Sequence, residues 1–557
     1  MESENGRQAA LVARLRRPEW GEELAAPSHD PQPPPRAEAL LDLTVGQRAE
    51  ILGRHLRRSR ALAERPAANH KPILESKPLL LRTVHELVAQ PLADDPRRTA
   101  ALPIGLLNAQ YQIELAAVRN GCRDQIDTGL LFQYLDAALH TLFELLSCYW
   151  LRQLLVPERL WNEAHALYRL ACLAGIDDPD EMRAPSILAQ ALRTAYLKPL
   201  LMGSLNPARY RPAEIRRIAT FLGRYTERAR LGKASGLLCI DTASSRPAVY
   251  AGRQDSPDCL RLCVLDLVEA IDDDAATDLL LVPRLARDLR RYWTRRQVRT
   301  ELHRRTDERI NVVIGLEVVH QVLSGCDDDD AFPDHLLTVR GPMRASPQRP
   351  VHKALCLDRS ATGARIRIGT GAPEALSPGT LIAVFAEAGQ EVQLGVVRWT
   401  LLSADFSAQA GIQWLPPGLE PCAVRSLEFA AQAPFCRAFF YRDAPDSGEL
   451  LAPAGMFKTG HRLLIRTAQN EAPALLTAAN DSTFYLGRFG VRIEIDDGDD
   501  QERIADKPGH NRKSTAAPTR KHARRGGSPS PRSPTPASLQ AASSPAGSPQ
   551  PIVKQKK

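Results

Sequence analysis

The stretch Arg304-Arg305-Thr306-Asp307-Glu308-Arg309-Ile310-Asn311-Val312-Val313-Ile314-Gly315-Leu316-Glu317-Val318 decides the fold. Before it, apolar residues recur every three or four positions. From Ile310 the spacing becomes two, and Ile310, Val312, Ile314, Leu316 and Val318 share one side of a half-buried strand. The chain therefore turns from helical to β at this point. Downstream, residues 354–357, 364–368, 381–385, 392–399 and 411–415 read as further strands, with Gly, Pro, Asp and Ser between them. Short strands punctuated in this way are enough to close a small antiparallel barrel or sandwich.

Upstream, Leu131, Leu135, Ala138, Leu139, Leu142, Leu145 and Leu146 line one helix face. Leu160, Ala164, Leu167, Ala171 and Ala174 line a second, ending near Gly175, and residues 187–195 form a third that Pro199 is expected to stop. Ile215, Ile218, Leu222 and Tyr225 mark a fourth. Between 236 and 300 the pattern is mixed: residues 237–240 have strand character, while 259–271 and 278–303 read as helical. After Pro421, residues 437–441, 463–465 and 490–495 suggest a second β module. The expected architecture is multidomain α+β. A disordered segment (1–36) precedes an all-α helical module (37–235) and a mixed α/β connector (236–300). A six-stranded antiparallel β-barrel (301–420), a small β-rich module (421–497) and a disordered acidic-then-basic tail (498–557) follow.

Among 557 residues, 43% are hydrophobic and 25% charged, ordinary values for a globular protein. The net charge of +8 is misleading, because residues 507–557 carry 11 bases and no acid, which leaves the remainder at −3. Any nucleic-acid binding through charge would have to come from that tail, which has no aromatic residue for base stacking. A solubilising appendage is the simpler expectation. The first residues lack a basic region followed by an apolar one, and Asp136, His140, Glu144 and Arg152 interrupt the most apolar stretch, so a cytoplasmic location is expected. Ten cysteines are too sparse for a disulfide scaffold, and Cys259 and Cys263 read as buried thiols.

Three short patterns stand in order within the β segment. Arg305 and Arg309 form R-x-x-x-R, which among 61 arginines means nothing alone. Asp358-Arg359-Ser360-Ala361-Thr362-Gly363 forms D-x-S-x-x-G, also a natural hairpin turn. Gly395-Val396-Val397-Arg398-Trp399 and Gly411-Ile412-Gln413-Trp414 follow as paired strands. In this order the set resembles the PilZ domain, a small β-barrel that binds the bacterial second messenger cyclic di-GMP, and the likeness covers about residues 300–420. One departure is a wider gap between the first two motifs, attributed to a surface insertion over 326–350.

The resemblance implies that Arg305 and Arg309 contact phosphates and guanines, whose O6 and N7 suit an arginine fork. It implies that Asp358 and Ser360 meet guanine edges and that Gly363 keeps the turn low. Arg304, a basic residue just before the motif, implies two stacked ligand molecules per domain. The segment 301–309 is expected to be loose without ligand and to wrap it on binding, reorienting the helical module towards an unidentified protein partner.

No enzyme is expected, and no catalytic or metal-ligating residue or cofactor is assigned. The sequence has no Walker P-loop, dinucleotide fingerprint, H-E-x-x-H or G-x-S-x-G. The runs 272–274 and 327–330 read as solvated charge, and His303, His320 and His352 as surface or packing residues. Two other functions remain open: a PilZ-like adaptor that binds no nucleotide, and a nucleic-acid-associated protein acting through its tail.

Overall fold

The computed structural model describes residues 4–15, 40, 42–90, 96–179, 185–232, 236–250, 259–277, 280–296, 303–324, 351–369, 376–386, 392–403, 405, 407–428, 434–467 and 470–494. The expected insertion over 326–350, the acidic run 327–330 and the tail 498–557 lie outside these residues.

The helical region opens with Glu4–Arg14 and continues through Val45–Ser59, Pro66–Glu75, Lys77–Ala89, Pro96–Arg123, Thr128–Leu151, Glu158–Leu173, Ile187–Ser204 and Pro212–Tyr225. Thr128–Leu151 starts where the Asp127 carboxylate accepts hydrogen bonds from the amides of Gly129 and Leu130. Among the described residues, no helix is long and apolar enough to cross a membrane.

Two sequence expectations change here. The N-terminal segment read as disordered contains a helix, because Leu11 and Leu15 are buried in the common core. Pro199 does not stop its helix, which runs through to Ser204 with Pro199 buried inside it. Packing against neighbouring helices outweighs the lost hydrogen bond.

The connector folds onto the same core. Strands β1 (Arg230–Gly232), β2 (Leu238–Asp241), β3 (Val249–Tyr250) and β4 (Cys259–Cys263) form a sheet in the order β1-β4-β2-β3. Helices Leu265–Thr277 and Pro283–Thr294 complete it, with Leu262, Leu267, Leu289 and Trp293 joining the helical core. The expected helix from residue 259 is thus a strand followed by a helix. Cys259 is not a free thiol but is disulfide-bonded to Cys239 on the adjacent strand, with Cα atoms 6.1 Å apart. The acidic run at 272–274 is not wholly solvated either. Asp274 is buried and accepts from the amides of Leu280 and Leu281, while Asp272 and Asp273 pair with Arg290 and Arg228.

Two closed six-stranded antiparallel barrels follow. The first contains β5 (Arg304–Ile314), β6 (His352–Arg359), β7 (Gly363–Ile368), β8 (Leu381–Ala386), β9 (Val392–Leu402) and β10 (Ala408–Trp414), ordered β10-β7-β6-β5-β8-β9. Its interior holds Ile310, Val312, Ile314, Ile366, Ile382 and Val397 among others, the period-two set of the sequence. That set ends sooner than expected. Gly315 takes φ +100°, a left-handed conformation that suits glycine, and Leu316–Leu323 is a helix rather than a continuation of the strand.

The second barrel contains β11 (Glu420–Ser426), β12 (Cys436–Ala444), β13 (Ser447–Pro453), β14 (Arg462–Arg466), β15 (Glu471–Ala479) and β16 (Leu486–Ile493), ordered β11-β12-β13-β16-β15-β14. Helix Leu316–Leu323 is wedged between the barrels. Val313, Val319, Leu381 and Val396 from the first side pack with Phe439, Leu451 and Leu486 from the second. His320 is fully buried there, with Nε2 3.1 Å from the Cys422 carbonyl oxygen of β11. The helical region also grips the first barrel, since Leu402 N donates to the Gln153 carbonyl (2.6 Å) and Thr400 Oγ1 to Gln153 Oε1 (2.7 Å).

Candidate functional site

The motif-bearing segment is not a loose arm. Arg304 to Arg309 form the first half of β5, held by antiparallel pairing of Arg304, Arg305, Glu308 and Arg309 with β6. Arg304 lies opposite Arg359, Arg305 opposite Asp358, and Arg309 opposite Leu355. A bulge between Arg305 and Glu308 breaks the regular register, and such bulges turn a strand and re-aim its side chains. Arg304, Arg305 and Arg309 are all exposed, and none of them pairs with an acid among the described residues.

Asp358, at the end of β6, is half-buried and held from two sides. His303 Nδ1 lies 3.1 Å from Oδ1, and Arg365 Nε lies 2.8 Å from Oδ2. The carboxylate is therefore fixed beside the arginines by groups outside both motifs. Ser360 occupies the turn. Its Oγ accepts from Gly363 N (3.2 Å), and its own amide donates to the Gly363 carbonyl (2.7 Å). Gly363 opens β7 against β10, and a Cβ there would overlap the Ile412 carbonyl oxygen. Only glycine lets the two strands approach this closely. Gly411 has a parallel role, since its missing side chain makes room for the Trp399 indole.

The R-x-x-x-R and D-x-S-x-x-G motifs are thus brought together by the β5–β6 pair, with Ser360 and Gly363 in the hairpin-turn role as well. Sequence reasoning missed three neighbours. His303, expected as a surface or packing residue, reaches Asp358. Arg365 is the alternate-face residue of β7, a position the Ile366 and Ile368 spacing marks as outward, but its partner depends on register. Arg359 lies over the Trp414 ring, 5.6 Å from its centroid. Beside them opens a cavity of about 430 Å³ lined by Glu308, Arg359, Ala361, Gln393 and Trp414 among others. Cys356, on the inner side of β6, is buried, which raises its thiol pKa and keeps it unreactive. Among the described residues no three His, Cys, Asp or Glu side chains converge as metal ligands do.

Arranged in this way, the face offers three exposed guanidinium groups, a fixed carboxylate and a flat indole. It suits a ligand that is anionic, planar and rich in hydrogen-bonding edges.

Comparison with known proteins adds the following. Residues 38–235 match the family described as "Cyclic-di-GMP receptor FimW, N-terminal domain". The chain is 22% identical over 418 residues to the cyclic-di-GMP receptor FimW of Pseudomonas aeruginosa, covering 60% of this chain and 68% of that protein. Two solved structures align with about a third of the chain. The Bacillus subtilis inhibitor of motility MotI/DgrA has 12% identity and a TM-score of 0.12, covering 35% of this chain and 92% of that one. MrkH, a c-di-GMP dependence transcription regulatory factor, has 6% identity and a TM-score of 0.13, covering 37% and 92%. Both scores are too low to assign a fold.

Proposed function

We propose that the chain is a receptor for cyclic di-GMP, that its first barrel is of the PilZ type, and that the helical region passes the signal to a protein partner. The observation that carries this is the pairing of β5 with β6, which sets Arg305 opposite Asp358 and leaves three arginines without an acidic partner among the described residues. The match of the helical region to the FimW N-terminal family supports it from a part of the chain that holds none of these motifs.

In this proposal Arg304, Arg305 and Arg309 meet the phosphates and guanines, and Asp358 accepts from a guanine edge. Ser360 and Gly363 shape the turn against which the base lies. Each charge-assisted hydrogen bond is worth about 1.5–3 kcal/mol, so a few of them account for a micromolar complex of about −8 kcal/mol after ordering costs. Because β5 is already formed, the ligand would bind a prebuilt strand rather than fold a loose one. A signal would then travel along β5, which leads through Gly315 into the helix seated on the second barrel. Output follows only if the partner distinguishes the two states.

The test is calorimetric titration of the full chain with cyclic di-GMP, beside cyclic di-AMP and GTP, with Arg309→Ala as control. Selective binding that is lost in the variant supports the receptor, and the stoichiometry decides between one and two ligand molecules. No binding in the wild-type chain would leave an adaptor whose barrel is inert.

A further inference from the structure

A second polar site lies where three parts of the fold meet. A cavity of about 320 Å³ is bounded by the helical region, by β9 of the first barrel and by residues 481–484 of the second. Its volume falls in the range of small-molecule sites, about 300–1,000 Å³. No residue of the R-x-x-x-R or D-x-S-x-x-G motif lines it, although Val397, Arg398 and Gln413 come from the paired strands that form the third pattern.

The charges around it do not balance. Three carboxylates line the cavity, and each is already committed. Glu214 is paired with Arg284 and Arg211, Asp288 with Arg284 (3.2 Å), and Asp481 with Arg398 (2.6 Å). Two further lining arginines, Arg209 and Arg291, make no ion pair at contact distance among the described residues. The Arg209 guanidinium lies 4.6 Å from the centroid of the Tyr292 ring, and the residue is half-buried. Burial pulls its pKa down; the charges of Arg398 and Arg291 act in the same direction, while Tyr210 and the Asp288 carboxylate oppose them. Tyr210 is 2% exposed, and its hydroxyl has no hydrogen-bond partner among the described residues. Burial raises the pKa of that hydroxyl, so it stays protonated and can only gain from an acceptor. A half-buried guanidinium facing other positive charges, and a buried hydroxyl with no acceptor, are both stabilised when an anion joins them.

We propose that this cavity is an anion site, separate from the motif face, that takes a phosphate or polyphosphate group through Arg209 and Arg291. Planar guanidinium forks match phosphoryl oxygens in pairs. Because the lining comes from the helical region and both barrels, an occupied site ties all three together. The ligand is either a free polyphosphate or the phosphate of a nucleotide.

Calorimetry of the full chain at constant ionic strength tests this, with inorganic pyrophosphate as one probe and guanosine monophosphate as the other. Saturable one-site binding is expected, weakened roughly tenfold or more in Arg209→Met and severalfold in Arg291→Met. Arg291 is exposed, so its variant stays informative if Arg209→Met does not fold. Tighter binding of the nucleotide would identify a nucleotide ligand, and tighter binding of pyrophosphate a free polyphosphate. Arg309→Ala should leave this binding unchanged, which separates the site from the motif face. Absence of saturable binding at millimolar probe overturns the proposal, as does binding indifferent to both joint substitutions or lost in Arg309→Ala.

Discussion

Arg305 and Asp358 are direct partners across β5 and β6, although one belongs to the strand that opens the first barrel and the other to the turn-bearing motif far along the sequence. Asp358 lies instead against the Arg365 guanidinium (2.8 Å), with the His303 ring 3.1 Å away, so Arg305 stays available.

If that availability serves a ligand, Arg305→Ala and Arg309→Ala should each weaken cyclic di-GMP binding by about tenfold or more, the worth of one charge-assisted contact. Both residues are exposed, so the melting temperature should move little. Calorimetry and thermal denaturation on the same samples separate the two effects.

Asp358→Ala should cost both binding and stability, because it strands Arg365 and His303 next to the arginines of β5. A destabilisation of about 1–2 kcal/mol is expected for this partly exposed cluster. The further substitution Arg365→Met should restore stability but not binding, and comparing the two melting curves tests it.

Gly363→Ala should destabilise the first barrel by about 1–3 kcal/mol, since the added methyl meets the Ile412 carbonyl of the neighbouring strand. Chemical denaturation reads the change. A fall in midpoint smaller than that of a surface Ala→Gly control would contradict the packing described.

His320 predicts an acid-sensitive joint between the barrels. Burial, aided by the charge of Arg437, lowers its pKa to about 4, against 6.5 for a free side chain. The unfolded chain then binds the proton more readily than the folded one. Stability is complete above about pH 6.5 and is lost as the pH falls towards 4, by about 3 kcal/mol in all. His320→Gln keeps a donor for the Cys422 carbonyl and removes the titration. Its denaturation midpoint should therefore fall less than the wild-type midpoint between pH 6.5 and 4.

The Cys239–Cys259 bridge makes a countable prediction. Of the nine cysteines among the described residues, seven should react with a thiol reagent under denaturing, non-reducing conditions, and Cys239 and Cys259 only after reduction, as peptide mapping of the labelled sites would show.

The sequence by itself determined the helical first half, the switch to β structure near Ile310 and the order of the two motifs. Each is written in local periodicity or in turn chemistry, which neighbouring residues alone dictate. Its errors came where tertiary contacts overrule local signals: Pro199 inside a buried helix, Leu11 and Leu15 drawing an N-terminal segment into the core, and Cys259 beginning a strand. Only the tertiary structure decided that Arg305 faces Asp358, that Arg365 and His303 hold that carboxylate, and that Arg209 meets the barrels at a shared cavity. Those relations depend on strand register and on the docking of separate elements, which spacing along one chain does not encode.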